Sequence, residues 1–255
     1  MVDLLIALLA SAGPLPSRAP APTATQPADA YAACAAALPA GTRTLFQGDS
    51  ITDMNRGRNA DPNHILGHSY AFLIGARLDA MAPERALVFI NRGVTGSRVS
   101  DLAKRWQADA IDVRPDVLSI LVGVNDLNHG VSAEGYADDY DALLTRTRAA
   151  LPNVRLILLE PFGLPTGAKQ EGWADYSNDL AARRVTVAKL AEKHGALFVR
   201  LQEAFDAATT RAPAKHWIWD GVHPTHAGQQ LIADAWVAAV AASKPVATTQ
   251  PAREP

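Results

Sequence analysis

Thr44-Leu45-Phe46-Gln47-Gly48-Asp49-Ser50-Ile51-Thr52 is a short apolar run that breaks at a glycine, followed by an acid and a serine. A run bounded in this way reads as a buried strand ending in a tight turn. Ser50 then stands at the carboxyl end of that strand, where open α/β sheets bind their ligands. An exposed serine there, with its backbone N–H free, is suited to act as a nucleophile. Taken alone, Gly48-Asp49-Ser50 is also what an ordinary turn looks like. The reading depends on whether the chain supplies a base and oxyanion donors.

Outward from this stretch, apolar runs alternate with helical periodicity. Strands are predicted at Arg43–Gln47, Leu87–Ile90, Val117–Val122, Val154–Leu159 and Ala196–Arg200. Helices are predicted at Tyr70–Met81, Ser100–Ile111 (with Ser100 as N-cap), Ala133–Leu151, Trp173–His194 and Thr225–Ala242. The third strand is apolar almost throughout, as expected when a sheet is covered on both faces. The alternation calls for a parallel sheet with helices on both sides. Gly163–Trp173 and Thr209–Asp220 read as irregular segments, and such loops at strand ends often shape a pocket.

The composition narrows the function classes. The chain has 255 residues, with 48% hydrophobic and 20% charged content, which is enough for one domain with a full core. A formal charge of −2 and scattered lysines and arginines argue against nucleic-acid binding. Cys34 is the single cysteine, so neither a disulfide framework nor a cysteine metal site is expected. His226 follows His223 by three residues, but Pro224 intervenes and no third ligand is evident. No metal and no cofactor are expected.

Val2–Ala12 is an apolar stretch ending in Ala10-Ser11-Ala12, like the core and cleavage site of a secretory signal, although Asp3 stands where a basic residue is usual. It is shorter than the ~20 apolar residues of a membrane-spanning helix, so stable membrane insertion is not expected. Export is the leading reading and a cytoplasmic location the alternative. The expected organisation is a leader and Pro/Ala-rich linker over 1–40, signal-like or disordered; a single folded domain over 41–243; and a disordered tail over 244–255.

Polar or glycine-rich segments follow the predicted strands: Gly48-Asp49-Ser50, Asn91-Arg92-Gly93-Val94-Thr95-Gly96, Gly123-Val124-Asn125-Asp126 and, before the last helix, Asp220-Gly221-Val222-His223-Pro224. In a parallel sheet these segments meet along one edge. Ser50 needs a base to become nucleophilic. His223 can take its proton and later return it to a leaving alcohol. Asp220 can fix the imidazole tautomer. Ser50 N–H, Gly93 N–H and the Asn125 amide are the expected oxyanion donors, and a glycine at 93 allows close backbone approach. Asp49 and Trp219 are candidate substrate contacts: Trp219 borders the Asp220 loop, and aromatic faces suit sugar rings.

The four blocks resemble those of the SGNH (GDSL-type) hydrolases, with Ser50, Gly93, Asn125 and His223 at the positions that give that superfamily its name. Ile51 stands where leucine is usual. The resemblance runs from about Thr44 to Val240. It implies a flavodoxin-like three-layer α/β/α sandwich with a five-stranded parallel sheet. Leu66-Gly67-His68-Ser69-Tyr70, the Asn91–Gly96 block, Asp101-Leu102 with Arg105-Trp106, and Trp219–Pro224 further resemble acetylxylan esterases and related carbohydrate esterases. That likeness implies a serine esterase acting on O-acetyl esters of xylan-type sugars. The alternatives are a lysophospholipase or thioesterase of the same superfamily and, from another class, a non-catalytic carbohydrate-binding protein. The expected partner is an acetylated carbohydrate, and the sequence leaves open whether the chain forms a homo-oligomer.

Overall fold

The computed structural model describes residues 27–59 and 61–244. The predicted leader and almost all of the predicted tail lie outside them. In chain order the elements are α1 (Pro27–Ala37), β1 (Arg43–Gly48), α2 (Ser50–Asp53), α3 (Tyr70–Met81), β2 (Val88–Asn91), α4 (Val99–Trp106), β3 (Val117–Leu121), α5 (Val124–Asn128), α6 (Ala133–Ala150), β4 (Arg155–Leu159), α7 (Trp173–Lys193), β5 (Leu197–Val199), α8 (Gln202–Thr209), α9 (Ala214–Trp217) and α10 (His226–Ala241). The five strands form one parallel sheet in the order β2-β1-β3-β4-β5. This is the flavodoxin-like doubly wound order, whose switch point lies beside β1.

The continuous apolar strands are explained by two separate cores. Along β3, Val117 and Leu121 join the core beneath α1, α3, α8 and α10, while Leu118 and Ile120 join the core beneath α4, α6 and α7. β4 divides in the same way, with Ile157 and Leu159 on the first face and Leu156 and Leu158 on the second. Both sets must be apolar because a strand alternates faces at every residue. Full burial of such a side chain stabilises the fold by about 1.5–3 kcal/mol. A tryptophan anchors each face, and neither is exposed. Trp236 donates its indole N–H to Ser119 Oγ (3.1 Å), and Trp106 donates to Thr147 Oγ1 (2.9 Å). Both polar tips are thus satisfied inside apolar layers.

Helix starts follow local capping chemistry. Ser69, Ser132 and Thr225 each accept a first-turn N–H with their side-chain oxygens, opening α3, α6 and α10. Ser100 does not cap α4 as expected. That helix begins one residue earlier, because the Asp101 carboxylate reaches back to Arg98 N–H at 3.2 Å. After Trp106 the helix widens into one π turn, Gln107–Ile111.

The expected domain start at 41 is too late. α1 packs along α10, with Cys34 and Leu38 at 0% exposure and Tyr31 Oη donating to Asp234 Oδ1 at 3.2 Å. Its alanine-rich sequence offers little contrast between faces, so periodicity could not separate it from a linker. None of the described helices is long and apolar enough to cross a membrane.

Candidate active site

Ser50 is the first residue of α2, directly after β1. The turn into α2 is fixed by Asp49, whose Oδ1 accepts Ile51 N–H at 3.0 Å. At the first helical position the Ser50 N–H has no intrahelical acceptor, so it stays available to a ligand.

The base arrives from the far end of the chain. Ser50 Oγ lies 2.8 Å from His223 Nε2, and His223 Nδ1 lies 2.6 Å from Asp220 Oδ2. Asp220 also shapes its own loop, because its Oδ1 accepts Val222 N–H at 3.0 Å and His223 N–H at 2.7 Å. This is an Asx turn, a local reason for aspartate at this position. Below it, the loop closes through an antiparallel bridge between Ile218 and Pro224 and through Trp219 N–H to His223 O at 3.2 Å. Burial would raise the Asp220 carboxyl. The hydrogen bonds from His223 N–H, from its ring and from Val222 N–H outweigh that and hold it below the ordinary carboxylate range. It therefore remains an anion beside the imidazole.

The segment after β4, expected to be an irregular pocket loop, buttresses this turn. Thr166 Oγ1 donates to Ile218 O at 2.9 Å. A Cβ on Gly167 would come 2.6 Å from Asp220 Cα, and a Cβ on Gly221 would collide with Lys169 and lie 2.8 Å from Thr166 O. Lys169 Nζ then reaches across to Asn128 Oδ1 (2.8 Å) at the end of α5, the helix that carries Asn125.

The expected oxyanion donors fare differently. Asn125, in the first turn of α5, spends one donor on Ser97 O at 3.2 Å, and an amide has two. Gly93 N–H donates to Asn91 Oδ1 at 2.8 Å and is thus already engaged, not left free for an oxyanion. The glycine is needed for space instead. A Cβ at 93 would come 2.6 Å from Asp53 N and 2.9 Å from Thr52 C, in the backbone of α2 itself. Asn91 is the residue that the sequence reading passed over. It is 4% exposed, and its amide also donates to Thr52 O at 2.7 Å and Leu66 O at 2.9 Å, tying β2 to α2 and to the following loop. Asp53 is a second such residue, since its Oδ2 accepts both Thr95 N–H and Thr95 Oγ1–H at 2.9 Å.

Asp49 is not a substrate contact. It is 1% exposed, and its carboxylate faces inward as the cap of α2. Trp219, at 63% exposed, is open to an incoming ligand.

The GDSL-like Lipase/Acylhydrolase family model matches residues 46–231. An acetylxylan esterase of Geobacillus stearothermophilus is 32% identical over 207 residues, spanning 77% of this chain and 93% of that protein. The structure of a candidate GDSL-like lipase from Parabacteroides merdae is 39% identical, covers 80% of this chain and 97% of its own, and superposes with a TM-score of 0.75. A catalytic mutant of Axe2, an acetylxylan esterase from Geobacillus stearothermophilus with a serine replaced by alanine, is 29% identical, covers 79% and 95%, and gives a TM-score of 0.70.

Proposed function

The chain belongs to the GDSL-like lipase/acylhydrolase family, and from that premise we propose that it is a serine esterase that removes acetyl groups from carbohydrates, xylan-type oligosaccharides foremost. The observation that carries the reading is the hydrogen-bonded chain Ser50–His223–Asp220, at 2.8 and 2.6 Å, at the head of α2. The likeness to an acetylxylan esterase supports the substrate class.

In this mechanism Ser50 Oγ attacks the acetyl carbonyl while His223 Nε2 takes its proton. Asp220 accepts from Nδ1–H and stabilises the imidazolium. Ser50 N–H and the free Asn125 amide N–H bind the developing oxyanion. His223 then protonates the sugar alcohol as it leaves, and an acetyl-enzyme remains. Water activated by the same imidazole releases acetate and regenerates Ser50. Gly93 contributes by its small size, which lets β2 approach α2.

The test is hydrolysis of p-nitrophenyl acetate by wild type and Ser50→Ala, followed by acetate release from acetylated xylo-oligosaccharides. Undiminished activity in Ser50→Ala sinks the mechanism. A rate that grows with acyl chain length points instead to a lysophospholipase or thioesterase. Sugar binding without acetate release marks a binding protein. Export through Val2–Ala12 belongs to the same proposal, and mass spectrometry of the N-terminus of protein from the native host tests it.

A further inference from the structure

Arg105 stands on α4 and takes part in none of the steps above. Its guanidinium spans the carboxyl ends of β1 and β2. Nη1 donates to Asp109 Oδ2 at 2.7 Å and to Arg92 O at 2.8 Å, with Gln47 Oε1 sharing a hydrogen at 3.2 Å, and Nη2 lies 3.5 Å from Gly48 O. Asp109 sits in the π turn, and its backbone carbonyl accepts from Gln47 Nε2 at 2.7 Å. Gln47 is fully buried. Arg105, Asp109 and Gln47 thus close a polar ring against the last residues of the sheet.

The carbonyls at this ring are the ones that precede the two turns of the site. A trans peptide unit is planar, so holding Arg92 C=O also sets the direction of Gly93 N–H, which meets Asn91 Oδ1. The next unit is pinned likewise, with Gly93 O accepting from Arg56 Nε at 2.7 Å and Val94 N–H donating to Gly48 O at 3.0 Å. Gly93 in turn abuts Thr52 and Asp53 in the short helix that begins with Ser50. A continuous line of contacts runs from the Arg105 fork to the nucleophile. Only a planar, multi-donor group can reach both strands at once.

We propose that Arg105 is a positioning residue that bridges the ends of β1 and β2 and thereby sets the placement of Ser50 against the Gly93 turn. The proposal rests on the esterase reading. Its test compares wild type, Arg105→Met and Arg105→Lys. Reactive Ser50 is counted with a fluorophosphonate probe, the rate of that labelling is recorded, and kcat and KM on p-nitrophenyl acetate are expressed per titrated serine. Melting temperatures are followed in parallel.

Both variants should lose about tenfold in labelling rate and in kcat per titrated serine, with KM changed by less than about twofold. Lysine keeps a charge facing Asp109 but has no fork, so it should not restore the rate. A kcat per titrated serine within about twofold of wild type in either folded variant overturns the proposal, whatever the melting temperature does. If the methionine variant does not fold, the lysine variant decides. Failure of the esterase reading looks different: wild type itself then shows no Ser50-dependent labelling or turnover, and both ideas fall.

Discussion

The indole of Trp219 lies over the imidazole of His223, with ring centroids 6.4 Å apart and 25° between the planes. One face of the imidazole proposed as the base therefore looks towards an aromatic side chain that is 63% open to solvent. A pyranose ring presented to that surface would bring its ester towards Ser50. Trp219→Ala is expected to raise KM for an acetylated xylo-oligosaccharide about fivefold, while kcat on p-nitrophenyl acetate stays within about twofold. Steady-state kinetics on the two substrates decide it, and an unchanged KM on the oligosaccharide removes Trp219 from the substrate site.

Asn125 is the one side-chain donor assigned to the oxyanion. Asn125→Ala should lower kcat by about 10²–10³-fold and leave KM nearly unchanged, because the lost hydrogen bond forms fully only in the transition state. A loss confined to KM would show that Asn125 binds ground-state substrate instead.

Gly93→Ala tests space rather than hydrogen bonding. The added methyl would meet Asp53 N at 2.6 Å and push α2, with Ser50, out of register. The expected costs are about 1–3 kcal/mol of stability and roughly 100-fold in kcat. Chemical denaturation and kinetics measure the two separately. Wild-type kcat in a folded alanine variant would mean that α2 can shift without consequence.

Asp49 gives the fold a pH dependence. Burial pushes its carboxyl up to about 7, reinforced by the nearby Asp126 and only partly offset by Ile51 N–H and His223. In the unfolded chain the group titrates at about 4. Between those values the folded state holds a proton that the unfolded state has released. Stability is therefore full below about pH 4 with respect to this group and falls as pH rises towards 7. Asp49→Asn should flatten that segment of the stability curve, measured by urea denaturation from pH 4 to 8. An identical slope in the variant would assign it to other groups.

The sheet and the grouping of Ser50, His223 and Asp220 could be read from the chain because each depends on local chemistry. β3 and β4 are apolar enough to require two covered faces, and Asp220 occupies an Asx turn that favours aspartate, with His223 three residues on. Short helices were harder to read. α9 occupies part of the stretch expected to be irregular, and α8 follows Leu201 with no capping side chain. Arg105 and Asp101 stood in a recognisable block, but what they do was not legible. Their partners, Arg92 O and Arg98 N–H, are backbone atoms whose directions exist only once the strand ends and the π turn are formed. Gly93 shows the same limit. The glycine was visible, whereas the capture of its N–H by Asn91 depends on a rotamer that sequence pattern does not reveal.

Gly167 and Gly221 face each other's loops with positive φ angles, 53° and 95°, and neither has room for a Cβ. A saturation library across 163–172 should therefore return uneven survivors. Diversity should collect at the exposed Pro165, Ala168 and Gln170, while Gly167 stays invariant unless the Asp220 turn mutates with it. Directed evolution towards new ester substrates thus has an editable loop beside the Asp220 turn, bounded by a glycine pair that can change only in concert.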